Sequence, residues 1–367
     1  MVLFLTCLLD IIGLTLVIPL LPYLLDFYLT IPEGVDPTWL QQFAQWFIEV
    51  SDAFGMSGLG GALAMSGLFA LLYSFCQFIG APIWGRLSDR YGRKAILSWT
   101  VAGTILAHLI WVFGASLEWF LLMRVLAGLM AGSISVATAA IADVTPAEKR
   151  ARAMTTIGLA YGIGYMAGPL LGGLSAEYNL LEVSPDLAAF GMHPFSMTAL
   201  VAVGMTVINL IVVILVLPET LPPHRRDPSV GVDASLLSSL LEKPPRRELS
   251  RIFNANLFFF LIFTGCEFNL VFLAFQRFAF SALQNSMMYL LIGGTQIVAQ
   301  FILLPHILKV LDERQVSVAG FGGLMTGVLL CAFAWEPWVL YTGCGVMSFG
   351  ASIVSPVSRR WCHGLPR

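Results

Sequence analysis

Ten stretches of this 367-residue chain reach the roughly 20 mostly apolar residues that a helix needs to cross a hydrocarbon layer. They run over 3–28, 61–83, 95–115, 119–142, 153–175, 197–217, 252–274, 286–309, 316–335 and 338–357. In lipid a backbone must satisfy its own hydrogen bonds, so such stretches fold as helices. Only 11% of the residues are charged and 57% are hydrophobic, against roughly 25% charged in an ordinary soluble domain. The expected class is therefore an all-α transmembrane protein. A helical bundle over 1–217 precedes a linker at 218–251, a second set of spans over 252–357 and a tail at 358–367.

The cations fix an orientation. Eighteen of the twenty Lys and Arg residues fall in segments on one side of the layer once the spans are drawn. These are Arg86, Arg90, Arg93 and Lys94; Lys149, Arg150 and Arg152; the six between Arg225 and Arg251; Lys309 and Arg314; and Arg359, Arg360 and Arg367. The opposite loops, 29–60 and 176–196, hold acids but no Lys or Arg. Basic loops stay in the cytosol, so both termini are expected there, in a plasma or inner membrane. Arg277 departs from this pattern and Arg124 lies within a span.

Several classes are set aside. The net charge of −2 and the clustering of cations in loops give no ground for a nucleic-acid partner. No CxxC or Cys/His spacing suggests a metal, and no nucleophile–base set, phosphate loop or cofactor motif suggests an enzyme. The first apolar stretch carries Asp10 and two prolines and has no basic region before it, unlike a cleavable signal. The 218–251 linker, with Pro222, Pro223, Pro244 and Pro245, reads as flexible. The stretch 39–54 has helical apolar spacing, suited either to the outer membrane surface or to a cap over the protein's mouth.

The most specific string is Gly85-Arg86-Leu87-Ser88-Asp89-Arg90-Tyr91-Gly92-Arg93-Lys94, between the second and third spans. Gly85 permits close approach of a helix and Gly92 a tight turn. Asp89 can dock on a helix N-terminus, and Arg93 is placed to pair with Asp143 at the end of span four. Such contacts form in one conformation and break in another. In span five, Ala160, Gly164, Gly168, Gly172 and Ala176 recur every four residues and make one small-residue stripe, with Gly173 beside it. Pro169 removes a backbone hydrogen bond and is expected to kink the helix.

The loop string resembles the major facilitator superfamily motif Gly-x-Leu-[Ser/Ala]-Asp-Arg-x-Gly-Arg-[Lys/Arg] at every defined position. Arg124 to Gly128 resembles that family's Arg-x-x-x-Gly element, and Gly164 to Gly173 its drug/proton antiporter pattern. Asp10 to Pro22 is similar to the start of tetracycline-efflux members, and Cys266 to Phe278 to the tetracycline transporter-like branch. The resemblance implies a monomeric carrier with alternating access, exporting a small amphipathic organic compound in exchange for protons. It implies that the span-five stripe seals the cavity against leak. It also implies twelve spans in two six-helix bundles, so ten spans point to a C-terminal truncation that removes the last two. The helix on which Asp89 docks in the family would be one of them.

Charges within spans are costly, about 2.5–3.5 kcal/mol each at mid-layer, and each should face a cavity or a partner. Asp10 and Glu267 are the candidate proton carriers, with Arg124 tuning a carboxylate. Asp10 could instead make a helix-end hydrogen bond, and Arg124 a structural ion pair. His108 could titrate or simply pack. Gln77, Asn269, Gln296 and Gln300 could line a substrate cavity, as could Asn209, or could bond between helices. Two further readings stay open: a proton-independent uniporter of organic anions, and a membrane protein that transports nothing.

Overall fold

The computed structural model describes residues 2–31, 34–53, 59–146, 149–226 and 247–363. The described residues contain helices and no strand. Nine helical segments among them are long and apolar enough to cross a membrane. The tenth expected stretch lies within helix Arg247–Phe278, several of whose side chains are outside the described set. The chain divides into two compact units, Met1–Leu236 and Leu237–Arg367. The central part of the expected linker, 227–246, lies outside the described residues.

The first unit contains α1 (Val2–Thr15), α2 (Leu21–Leu29), α3 (Trp39–Ala53), α4 (Leu59–Tyr91), α5 (Arg93–Val112), α6 (Leu117–Met130), α7 (Ser133–Val144), α8 (Arg150–Ala176), the short α9 (Leu180–Val183) and α10 (Ser196–Val216). The first span, expected as one helix, is broken between α1 and α2 by a 3-10 turn at Ile18–Leu20. Pro19 and Pro22 sit in that turn and at the start of α2, and neither has an N–H to continue the ladder. The fourth span is also two helices, parted at Ala131–Gly132. There the Trp84 Nε1–H donates to the Leu129 carbonyl at 2.7 Å, and the Trp84 side chain occupies the space a Cβ on Gly132 would need.

Close approach at small residues sets the packing of this unit. A Cβ on Gly164 would press on Ile11, one on Gly168 on Thr15 and Ile12, and one on Gly172 on the Leu16 backbone. The span-five stripe thus lies directly against α1, and Thr15 Oγ1 reaches the Gly164 carbonyl at 3.3 Å. α8 remains continuous through Pro169. Helix α3 forms as the apolar spacing predicts. It turns Leu40 and Ala44 inward and leaves Trp39, Phe43 and Trp46 exposed.

The second unit contains α11 (Arg247–Phe278), α12 (Ala282–Ile297), α13 (Leu304–Ile307), α14 (Glu313–Ala332) and α15 (Pro337–His363). Capping boxes at Ser281/Gln284 and Asp312/Gln315 start α12 and α14, satisfying backbone donors that the first turn leaves open. A π-helical segment, Val298–Leu303, interrupts the expected eighth span just before Pro305. Proline lacks the N–H and its ring crowds the preceding turn, so widening there relieves the clash. α14 and α15 pack along glycines that do not stand out in the sequence. A Cβ on Gly327 would strike Met347, and one on Gly350 the backbone of Leu324 and Gly320.

The segment 358–363, taken as tail, continues α15, since no helix breaker follows Pro356 until Gly364. Residues 364–367 lie outside the described set. Arg277, the cation that breaks the charge pattern, donates to the Ala332 and Ala334 carbonyls at 2.9 and 2.8 Å. It closes the C-terminal end of α14, where carbonyls lack helical partners and a cation is favoured.

The acid-rich loop before α10 is pinned by His193, which is 1% exposed. Its Nε2 donates to the Trp111 carbonyl at 2.8 Å, and its Nδ1 accepts from the Phe195 N–H at 3.3 Å. Both nitrogens are thus used in the neutral ring. Tyr28 donates to the Gly114 carbonyl at 3.0 Å and Ser196 to the Val112 carbonyl at 2.7 Å, so the clasp joins α2, the end of α5 and α10. Burial holds His193 below its ordinary protonation range, against an opposite pull from the Trp111 carbonyl. An unfolded histidine takes up its proton near pH 6.5, whereas the folded one resists it, so this contribution to stability is lost as pH falls through that value. Thermal unfolding in detergent between about pH 7.5 and about pH 5.5, a window bracketing that proton uptake, should show a steeper loss for the parent than for His193→Asn; equal slopes would remove His193 as the cause.

Candidate functional site

Three helices of the first unit each offer a stripe at helical spacing: Asp10, Gly13, Leu14 and Val17 at and just after the end of α1; Thr104, His108 and Trp111 on α5; and Met123, Arg124, Ala127 and Ala131 on and after α6. With Tyr73 from α4 they line a partly open recess, whose roughly 470 Å³ of space between atoms includes open solvent. Positions three and four apart share a helix face, which is why these residues converge. Asp10, Arg124 and His108 are thereby brought together.

Arg124 is 9% exposed. Its guanidinium lies over the Phe120 ring, 5.2 Å from the centroid, a favourable cation–π placement. Its Nε–H has no hydrogen-bond partner, and no carboxylate among the described residues pairs with it within 4.0 Å. The structural ion pair considered from the sequence is therefore not formed. Asp10 lies beside Ser133, whose hydroxyl is 3.4 Å from that of Thr100. His108 is buried, with Nδ1 3.1 Å from Thr206 Oγ1.

The other candidates are placed elsewhere. Asn209 bonds the Thr6 carbonyl at 3.3 Å, a helix-to-helix contact. Gln77 is half-buried and does not line the recess. In the second unit Glu267 is 5% exposed and its Oε1 has no hydrogen-bond partner. Asn269 is exposed and bonds back to the Gly265 carbonyl at 2.6 Å. Gln296 and Gln300 lie outside the apolar groove formed by Met287, Leu291, Val298 and Phe349, with Gln300 in the π-helical segment.

A second constellation sits at the cation-rich end of the first unit. Arg93 is buried and uses every side-chain nitrogen: Nε to Asp143 at 2.9 Å, Nη1 to Ser88 at 2.6 Å and Nη2 to Asp89 at 2.7 Å. The Arg93–Asp143 contact is the one the spacing suggested. Asp89 is here a partner of Arg93, one turn away on the same surface. A Cβ on Gly85 would come within 3.1 Å of Ser135 Oγ, and Gly92 takes φ +106° between α4 and α5. Arg90 is exposed over the Tyr91 ring, and Lys94 is half-buried.

Sequence reasoning missed Glu219. Its Oε1 accepts from the backbone N–H groups of Arg93 at 2.9 Å and Leu221 at 3.0 Å, and its Oε2 pairs with Arg226 at 3.6 Å. A carboxylate at a helix N-terminus satisfies open donors and meets the positive end of the dipole. The opening of the expected flexible linker is thus fastened to the loop motif. An acid directly after a span, at the end that carries the basic loops, was the available signal. Trp111, also missed, stands three residues from His108 on one helix face, whereas Thr206 and Tyr73 lie on other helices and carried no such signal.

The profile of the Major Facilitator Superfamily matches residues 3–365. The bovine (Bos taurus) Major facilitator superfamily domain-containing protein 10 is 32% identical over 97% of this chain and 77% of its own length. Tetracycline resistance protein, class H, of Pasteurella multocida is 40% identical over 31% of this chain and 28% of its length. The crystal structure of the human organic anion transporter MFSD10 (TETRAN) superposes with a TM-score of 0.72 at 29% identity, covering 97% of this chain and 83% of that one.

The seam against α1 gives a test of packing. Gly172→Val would drive two methyl groups toward the Leu16 backbone, where not even one Cβ fits; overpacking of this kind costs about 1–3 kcal/mol. Size-exclusion profiles after heating should show loss of the monodisperse peak at a lower temperature than for Gly158→Val, where a Cβ meets nothing within 4 Å. Equal behaviour of the two variants would show that the seam is loose.

Proposed function

This chain belongs to the major facilitator superfamily, and on that premise we propose that it carries a small amphipathic organic anion across the membrane, with Arg124 holding the anion and Asp10 carrying a proton. Arg124 is the observation that carries the reading. A buried guanidinium is costly, and here its Nε–H points at no partner in a recess with apolar walls at Leu14, Val17 and Met123. A carboxylate or sulfonate within the recess would satisfy both the charge and the donor, while the walls take an apolar body. The similarity to the human organic anion transporter supports the same class.

Asp10 shares the recess without pairing with Arg124. When ionised it opposes an incoming anion, and when protonated it does not, so anion and proton favour each other's binding. Glu267 is a second candidate for proton carriage in the other unit. Transport follows alternating exposure of the recess to the two sides, with the Arg93–Asp143–Glu219 cluster making and breaking at the cytoplasmic end. A second reading, export in exchange for protons, rests on Asp10 together with the similarity to tetracycline resistance proteins. It requires proton and substrate to compete rather than cooperate.

Proteoliposomes loaded with an aryl carboxylate separate these readings. An inward proton gradient should drive uptake if anion and proton travel together, and efflux if they exchange. Arg124→Met should reduce the anion flux at least about tenfold, the loss expected for one charged partner. Asp10→Asn should retain flux down the anion's own gradient while losing the response to pH. Undiminished flux in Arg124→Met would sink the anion assignment; an unchanged pH response in Asp10→Asn would remove that residue as the proton carrier.

A further inference from the structure

We propose that the recess discriminates in favour of organic anions that carry a hydrogen-bond donor, such as a hydroxyl, next to the anionic group, and that His108 reads this donor while Thr206 holds the ring in the tautomer that can do so. The proposal rests on the anion reading and adds the chemistry beside the anion. The Thr206 hydroxyl has one proton, and its geometry places that proton on the Ala202 carbonyl at 2.7 Å. Such back-bonding to the fourth residue before is the common arrangement for a helical threonine. Thr206 Oγ1 is then an acceptor toward His108, and the 3.1 Å contact with Nδ1 requires the proton on Nδ1. A neutral imidazole with Nδ1 protonated has a lone pair at Nε2 and can only accept there.

The ring is held for this use. His108 is 6% exposed, and its Cε1 edge fits against the bare backbone of Gly13, where a Cβ would approach to 3.4 Å. Thr206 belongs to α10 and lies behind the ring, while His108 itself is part of the recess lining with Asp10 and Arg124. The recess therefore holds a cationic donor with an unused N–H, an acceptor of fixed direction, and apolar walls. An anion bearing a neighbouring hydroxyl matches all three. An anion without it leaves the His108 acceptor unanswered in a buried site, which is where loss of one partner is felt most.

Mandelate and phenylacetate differ by that hydroxyl alone and serve as probes. Their dissociation constants would be measured on the purified full chain by calorimetry, with thermal stabilisation as a second reading. The parent should bind mandelate about five- to tenfold more tightly, the value of one neutral hydrogen bond. Thr206→Val keeps the shape and removes the acceptor for Nδ1, so the ratio should fall to within twofold while phenylacetate affinity is retained. Thr206→Ser restores the hydroxyl and should restore the ratio; a purely packing role for Thr206 would not give that rescue. Equal affinity of the parent for the two anions, or an undiminished ratio in Thr206→Val, overturns the proposal and leaves the anion reading intact. Failure of the parent to bind either probe, with Arg124→Met behaving identically, overturns the anion reading and this one with it.

Discussion

Without water in the hydrocarbon region, each backbone N–H and C=O must be satisfied within its own helix, and apolar side chains then gain little by leaving lipid for one another. What holds such helices together is contact between backbones close enough for van der Waals attraction. Both units meet this constraint with glycines. In the first, Gly164, Gly168 and Gly172 of α8 seat the first span; in the second, Gly320, Gly327 and Gly350 join α14 to α15. The recess around Arg124 follows from that packing, because α1 is fixed in rotation by the α8 seam and so turns Asp10 and Gly13 toward α5 and α6.

Polar groups in the spans are handled in two ways. Some are closed locally: Asn269, Thr138 and Ser348 each donate to a carbonyl four residues back. Others remain open toward a shared space, and Arg124 is the clearest case. The helix breaks serve this second group. The interruption at Ala131–Gly132 starts α7 at Ser133, which places that hydroxyl against Asp10. At the cation-rich end, the same economy of donors lets one arginine, Arg93, gather Ser88, Asp89 and Asp143, while Glu219 answers its backbone.

Much of the fold was legible in residue order, because hydropathy over about 20 residues reports directly on the cost of burying backbone in lipid. The loop motif was legible too, since Arg93 and Asp143 lie at the ends of adjacent spans and have little choice of partner. The recess was half legible. Asp10, Arg124 and His108 stand out as polar residues in apolar runs, whereas Thr206, Tyr73 and Trp111 do not, being common in such runs for packing alone. The amides Gln77, Asn269, Gln296 and Gln300 stood out equally and were placed elsewhere. An amide can close on its own helix or face a lipid boundary, and sequence spacing does not distinguish these outcomes.

The sequence by itself determined that the chain crosses a membrane many times, where most spans begin and end, and which family it belongs to. Those properties depend on runs and spacings along one strand of polymer. Tertiary structure alone decided that Arg124 has no carboxylate within ion-pair range among the described residues, that Glu219 caps α5 and that Thr206 lies against the His108 ring. Each is a contact between residues far apart in order, at hydrogen-bond range where a shift of an ångström makes or breaks it. The rotation of each helix about its axis sets such distances, and that rotation comes from the glycine seams.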